Sequence, residues 1–103
     1  MSKACKSNAA PFNFYYMYYV YILKSINFNK LYIGFTDDLR RRFAEHNNGK
    51  SNYTSKYLPW RLVYYEAYSS KKDAQKRETA FKSHGKAWGQ LKNRIQFSVK
   101  NES

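Results

Sequence analysis

Between Tyr19 and Leu23 the aliphatic Val20 and Ile22 are interleaved with Tyr19, Tyr21 and Leu23, and between Lys30 and Phe35 the aliphatic Leu31 and Ile33 alternate with Tyr32 and Gly34. A period of two is that of a β-strand, because successive side chains leave opposite faces of the backbone. The Ser-Ile-Asn-Phe-Asn break at residues 25–29 joins the two runs into a predicted hairpin. Each strand then carries one aliphatic face and one richer in tyrosine, and Tyr21 and Tyr32 can share the second.

After the hairpin the period changes. Thr36, Asp37 and Asp38 offer capping oxygens and negative charge to a helix running from Leu39 to Asn47 and stopping at Asn48-Gly49. Lys50 to Pro59 reads as a basic loop, and Trp60 to Tyr68 as a third strand. A capping-box pattern at Ser70–Asp73 opens a second helix through Ala74, Glu78 and Phe81 that ends at His84-Gly85, and a shorter helix covers Ala87 to Ile95. The order β-β-α-β-α-α predicts an α+β fold, a small three-stranded, mainly antiparallel sheet flanked by helices. Residues 1–14 lack periodicity and read as a flexible leader, 15–97 as one folded domain, and 98–103 as a flexible tail.

Helical spacing places three polar side chains where apolar ones are expected. At about 100° per residue, Leu39, Arg42, Phe43 and His46 share one face, and Ala74, Glu78 and Phe81 share another. A charge bordering a core requires a partner. The simpler account is a structural ion pair, Arg42 with Glu78, pinning two helices together; for His46 it is a helix C-terminal position favouring a cation. The alternative arises if both helices pack on the tyrosine-bearing side of the hairpin. Two phenols to handle a proton, a cation to neutralise phosphate and a carboxylate to hold a hard metal ion would then share one neighbourhood.

Charge gives that neighbourhood a substrate class. Nineteen Lys and Arg against seven Asp and Glu leave a net +12 on 103 residues, which suits a polyanion and above all nucleic acid. With one cysteine, Cys5, and only His46 and His84 beside it, neither an internal disulfide nor a zinc quartet can form, consistent with a reducing, cytoplasmic setting. The most apolar run, Phe14 to Leu23, is ten residues long and half tyrosine, so it predicts no membrane partner. Tyrosine is abundant, eleven in all, more than a core of this size needs, and some of these rings are expected to meet water or a ligand.

Five segments in order carry a resemblance. Tyr19-Val20-Tyr21 and Tyr32-Ile33-Gly34 stand on adjacent strands, Arg42 follows Tyr32 by ten residues, and His46 lies one helical turn later. Gly49-Lys50, Tyr53-Thr54 and Pro59 to Glu66 continue the pattern, and Lys76-Arg77-Glu78 with Phe81-Lys82 closes it. The sequence resembles the GIY-YIG nuclease superfamily over about residues 16–95, most like its small single-domain bacterial members and the UvrC N-terminal nuclease domain. Tyr19 replaces the first glycine of the family pattern, and the family's late asparagine has only a loosely aligned counterpart in Asn93.

The resemblance implies a metal-dependent endonuclease hydrolysing DNA phosphodiester bonds with low intrinsic sequence specificity, in repair or recombination. Its substrate would be DNA, branched or damaged forms included, with a protein partner supplying specificity. It implies one Mg²⁺ or Mn²⁺ held by Glu78, Tyr21 or Tyr32 as general base with the other orienting water or phosphate, His46 assisting the proton transfer, and Arg42 neutralising the scissile phosphate. A nearby cation such as Arg42 would have to stabilise the phenolate of the base, since a free phenol has a pKa of about 10. Gly34 would let the backbone approach phosphate, and Arg41, Lys50, Lys56 and Lys82 would track the nucleic-acid backbone. The competing expectation is a module of the same fold that grips DNA or RNA without cutting it.

Overall fold

The computed structural model describes residues 16–101. The leader expected at residues 1–14 lies outside them. Strands β1 (Tyr18–Ser25), β2 (Leu31–Thr36) and β3 (Trp60–Tyr68) form one antiparallel sheet in the order β2-β1-β3, so the first strand is central. Helix α1 (Leu39–Asn47) follows β2, while α2 (Lys71–Lys82), α3 (Lys86–Arg94) and a short α4 (Gln96–Lys100) follow β3. A 3₁₀ turn at Thr54–Tyr57 lies in the loop before β3. The expected α+β order is present.

The two faces of β1 are buried by different layers. Val20 and Ile22, with Ile33 beside them, pack against Ala74 and Phe81 of α2 and Trp88 and Leu91 of α3. Tyr21, Leu23 and Trp60 form the opposite core, covered by Leu39 and Phe43 of α1 together with Tyr32, Tyr57 and Leu62. The condition that both helices pack on the tyrosine side is not met: α1 takes that face and α2 the aliphatic one. The Val-Ile face receives the Ala74–Phe81 stripe of α2, whereas the tyrosine face is filled by α1 and Trp60.

Local chemistry explains the helix ends. Asp38 caps α1, its carboxylate accepting from the Arg41 backbone N–H, as the Asp pair predicts. Ser70 stands at the N-cap of α2 in extended conformation but its side chain makes no capping bond there, so the capping box read from Ser70 and Asp73 is not made by the Ser hydroxyl. The chain also stays folded past its expected end. Arg61 donates to the carbonyls of Ser98 and Val99, at 2.9 Å for the first and 2.5 Å for the second, and Val99 packs on the α2–α3 core. Residues 98–101 thus belong to the folded body, held by an arginine on β3 whose partners are backbone atoms and leave no signature in the sequence pattern.

Candidate active site

Tyr21 is 1% exposed, and its ring lies across Gly34, its cross-strand partner on β2. A Cβ at Gly34 would sit 2.2 Å from the ring's Cζ and 2.3 Å from its Oη. Gly34 is itself buried, and the lack of a side chain there makes room for the Tyr21 phenol. Since β2 is an edge strand, a ring laid across it carries its hydroxyl to the sheet's edge, where groups from both layers can meet.

From the α1 layer, His46 meets the phenol. The histidine is fully buried, with Nε2 2.8 Å from the Tyr21 Oη and Nδ1 2.8 Å from Thr54 Oγ1. Thr54, also fully buried, directs its hydroxyl at the Ser51 carbonyl at 3.4 Å, which leaves its oxygen to accept from His46 Nδ1–H. That tautomer bares Nε2, so Tyr21 O–H donates to it. Burial, and secondarily Arg42, push the His46 pKa down to about 4, and the ring is neutral at pH 7. His46 therefore does not serve as a cationic cap of α1; its ring bridges Tyr21 and Thr54.

The Tyr21 phenol is raised well above its ordinary pKa, chiefly by burial and then by Tyr32, with Glu78 adding to the effect and Arg42 opposing it. Arg42 does act on the Tyr21 phenol in the direction that stabilises a phenolate, but removing the ring from water outweighs one partly exposed guanidinium. Arg42, Tyr32 and Glu78 all act electrostatically on this one phenol, although α1 and α2 lie on opposite faces of the sheet. Tyr32 stands with its ring 6.3 Å from that of Tyr21 and 4.8 Å from that of His46.

Arg42 and Glu78 are not paired to each other, so the simple structural account of the two is not the one realised. Arg42 donates to Glu45 at 3.0 Å, and Glu78 accepts from Lys82 at 3.0 Å. The Glu78 side chain keeps 20% of its exposure. Among the described residues no group of three or more His, Cys, Asp or Glu converges, so any hard divalent ion would rest on this one carboxylate, with water and phosphate oxygens completing its shell. The donor fits such an ion, and the Lys82 ammonium already shows that the position favours positive charge.

The remaining expected residues divide. Lys50, Lys56 and Lys82 are exposed. Arg41 is committed to Asp37, Asp38 and Glu45, which leaves little net charge for a phosphate. Asn93 is exposed on α3, and no hydrogen bond joins it to Glu78. Thr54 was missed as a site residue by reading the sequence, although Tyr53-Thr54 is one of the segments that continue the family pattern. Also missed was a second polar cluster, in which Glu66 accepts from Tyr64, Tyr68 and the Arg77 guanidinium.

A profile of the GIY-YIG catalytic domain matches residues 17–93, which include every group just described at the edge of β2. The chain belongs to the GIY-YIG family. A UPF0213 protein of Lacticaseibacillus paracasei is 46% identical over 66 residues, 63% of this chain and 73% of that protein. One from Streptococcus pyogenes is 45% identical over 65 residues, covering 62% and 70%. The solution structure of a UPF0213 protein from Bacillus halodurans aligns over 73% of this GIY-YIG chain and 80% of its own, with 34% identity and a TM-score of 0.46. Among the described residues of this GIY-YIG domain no helix is long and apolar enough to cross a membrane.

Proposed function

We propose that this GIY-YIG protein is a metal-dependent DNA endonuclease of low sequence specificity, acting in the cytoplasm on substrates of repair or recombination. The observation that carries the reading is the bond from Tyr21 Oη to the bare Nε2 of a neutral, buried His46. A phenol in that state is a poor base by itself. Coupled to His46, it accepts a proton from an attacking water while passing its own to Nε2, so no free phenolate has to form. A phosphate drawn into the cluster brings the negative charge that favours the resulting imidazolium, and Arg42 neutralises charge building on the phosphate oxygens. Glu78 would hold Mg²⁺ or Mn²⁺, which when bound polarises the phosphate and stabilises the leaving oxygen. Lys82 releases Glu78 on that occasion and turns to the nucleic-acid backbone, alongside Lys50 and Lys56.

Supercoiled, linear single-stranded and branched DNA, each offered with Mg²⁺, Mn²⁺ or chelator, test this directly. Nicking should require metal and fall by about 10²–10⁴ in Tyr21→Phe, the range of general acid–base catalysis. Glu78→Ala should remove it. Thr54→Val should lose about tenfold, with Thr54→Ser restoring it, because only a hydroxyl oxygen holds His46 in the required tautomer. Parent and variants nicking alike would point to a contaminating nuclease, and salt-sensitive binding without cleavage under any condition would make the chain a binding module.

A further inference from the structure

A groove of about 460 Å³ opens beside the catalytic cluster, between Tyr32 and Tyr53 on one side and His84, Trp88, Lys82 and Lys92 on the other. It is continuous with the candidate site through Tyr32 and through Lys82, the partner of Glu78. Its volume falls within the range of small-molecule sites and is enough for one nucleotide. We propose that it holds one unpaired nucleotide base of the strand being cut, stacked on Tyr53, so that the DNA is open at the point of cleavage.

Three features select that occupant. Tyr53 is 43% exposed, although its ring stacks on Tyr32 with planes 26° apart, so a large aromatic surface is held in a fixed orientation without being covered. Such a platform has little use in the fold and suits another π-face. The row of rings continues outward, from Tyr53 to Tyr57 at 5.3 Å and from Tyr57 to Phe28 at 5.4 Å, the last being 46% exposed. Lys30 sits 5.2 Å from the Tyr57 ring, so positive charge accompanies the row. On the opposite wall, His84 stacks on Trp88 at 5.7 Å and Lys92 approaches the same indole at 5.9 Å. Aromatic faces edged by lysines match a base with its flanking phosphates.

The need for an unpaired base follows from access. In a duplex each base shows only its edges, because both faces are covered by neighbours in the stack. A face becomes available to Tyr53 only in a single strand, a bubble, a flap or a flipped nucleotide. Since every base has a π-face, the contact selects structure and not sequence. The placement next to the cut rests on the endonuclease reading above, while the stacking itself does not.

The decisive experiment reads binding in chelator, where no cleavage occurs, so it stands apart from whether the protein cuts. A single-stranded oligonucleotide carrying one 2-aminopurine, the same sequence as a duplex, and a duplex with a central bubble are titrated with the full chain. Quenching of 2-aminopurine is expected in the single strand and the bubble and not in the duplex. Tyr53→Ala should abolish it and weaken single-strand binding about tenfold while leaving duplex binding unchanged. Tyr53→Trp should keep both, and thermal unfolding confirms that each variant is folded. Lys92→Gln, on an exposed helix position, should lower the salt slope of single-strand binding by about one phosphate contact. Quenching that survives Tyr53→Ala, or an equal loss on the duplex, overturns the proposal. Failure of every form to nick with Mn²⁺ would instead defeat the endonuclease reading and leave the stacking result intact.

Discussion

Two clusters in this molecule are built from nearly the same parts, and only one of them has chemistry left over. Glu66 on β3 receives Tyr64, Tyr68 and a two-pronged Arg77, at 2.9 and 3.0 Å, on a single carboxylate. At the edge of β2, by contrast, Tyr21, Tyr32, Arg42 and Glu78 share a neighbourhood but each strong bond leads outward, from Tyr21 to His46, from Arg42 to Glu45 and from Glu78 to Lys82. Burial pushes Glu66 upward, but Arg77 and the two phenols outweigh it and hold the carboxyl below its ordinary range, while the phenols rise to about 12. The first cluster is satisfied within itself and fastens α2 to the sheet. In the second, the Glu78 carboxylate is met by a single exposed lysine and retains acceptor capacity that a cation or a water could use.

Removing one partner from the closed cluster should have the largest effect. Arg77→Ala leaves Glu66 with two phenols and no cation in a mostly covered site. A cost of about 3 kcal/mol in urea unfolding is expected, the low end for a broken buried pair because the Arg77 side chain keeps 37% exposure. Nicking at a temperature where the variant is folded should stay within a few-fold of the parent. Arg42→Ala should do the reverse, sparing stability to within about 1 kcal/mol, since its pair with Glu45 lies on a partly exposed helix face, and disabling cleavage. Equal stability losses in the two variants would erase the distinction.

The reason these two clusters were unequally legible lies in what a sequence pattern records. Periodicity on β1 and α1 is enough to place Tyr21, Arg42 and His46 near one another, because each sits on a face that its neighbours mark as buried. Glu66 escaped because Tyr64, Glu66 and Tyr68 share a strand face only by their spacing of two, and the cation that makes burial tolerable comes from Arg77, eleven residues downstream. The side of the sheet chosen by α2 also went unread. Both faces of a central strand are buried, so the aliphatic and tyrosine-bearing rows each look able to receive a helix. The edge position of β2, which reconciles opposite layers at one phenol, is a property of strand order that no local pattern contains.

Gly34 tests that edge. The added methyl of Gly34→Ala meets the Tyr21 ring at 2.2 Å, well inside any real contact, and the obstacle is an aromatic ring wedged in a core, not a flexible chain end. The ring must swing off β2, which separates Oη from His46 Nε2. A loss of about 10² or more in nicking is expected, with about 1–3 kcal/mol of stability from overpacking. The Glu66 cluster, on the other face, should be untouched, so adding Arg77→Ala should be additive in stability to within about 0.5 kcal/mol. Retained activity in Gly34→Ala would show that the phenol does not work from its place over the edge strand.

Acid should separate the two clusters in order, with the smallest effect of the set. His46 has a folded pKa of about 4 against an ordinary value near 6.5, mainly because it is buried. Between those values the unfolded chain binds a proton that the native chain does not, so stability rises with pH across the window and is lost as pH falls from about 6.5 toward 4. Lowering the pH from 7.5 to 5 should cost about 2 kcal/mol from this group. Glu66 acts later, because its depressed pKa contributes stability that persists until the pH drops below the ordinary carboxylate range. Urea unfolding of the parent and of His46→Gln at pH 7.5, 6, 5 and 4 checks the order. The glutamine variant should lose the slope above pH 5 and keep the steeper fall below pH 4, whereas Arg77→Ala should keep the first and flatten the second. A parent whose stability is level from pH 7.5 to 5 would mean that His46 is not neutral and buried against Tyr21, and the open cluster would then lack its proton acceptor.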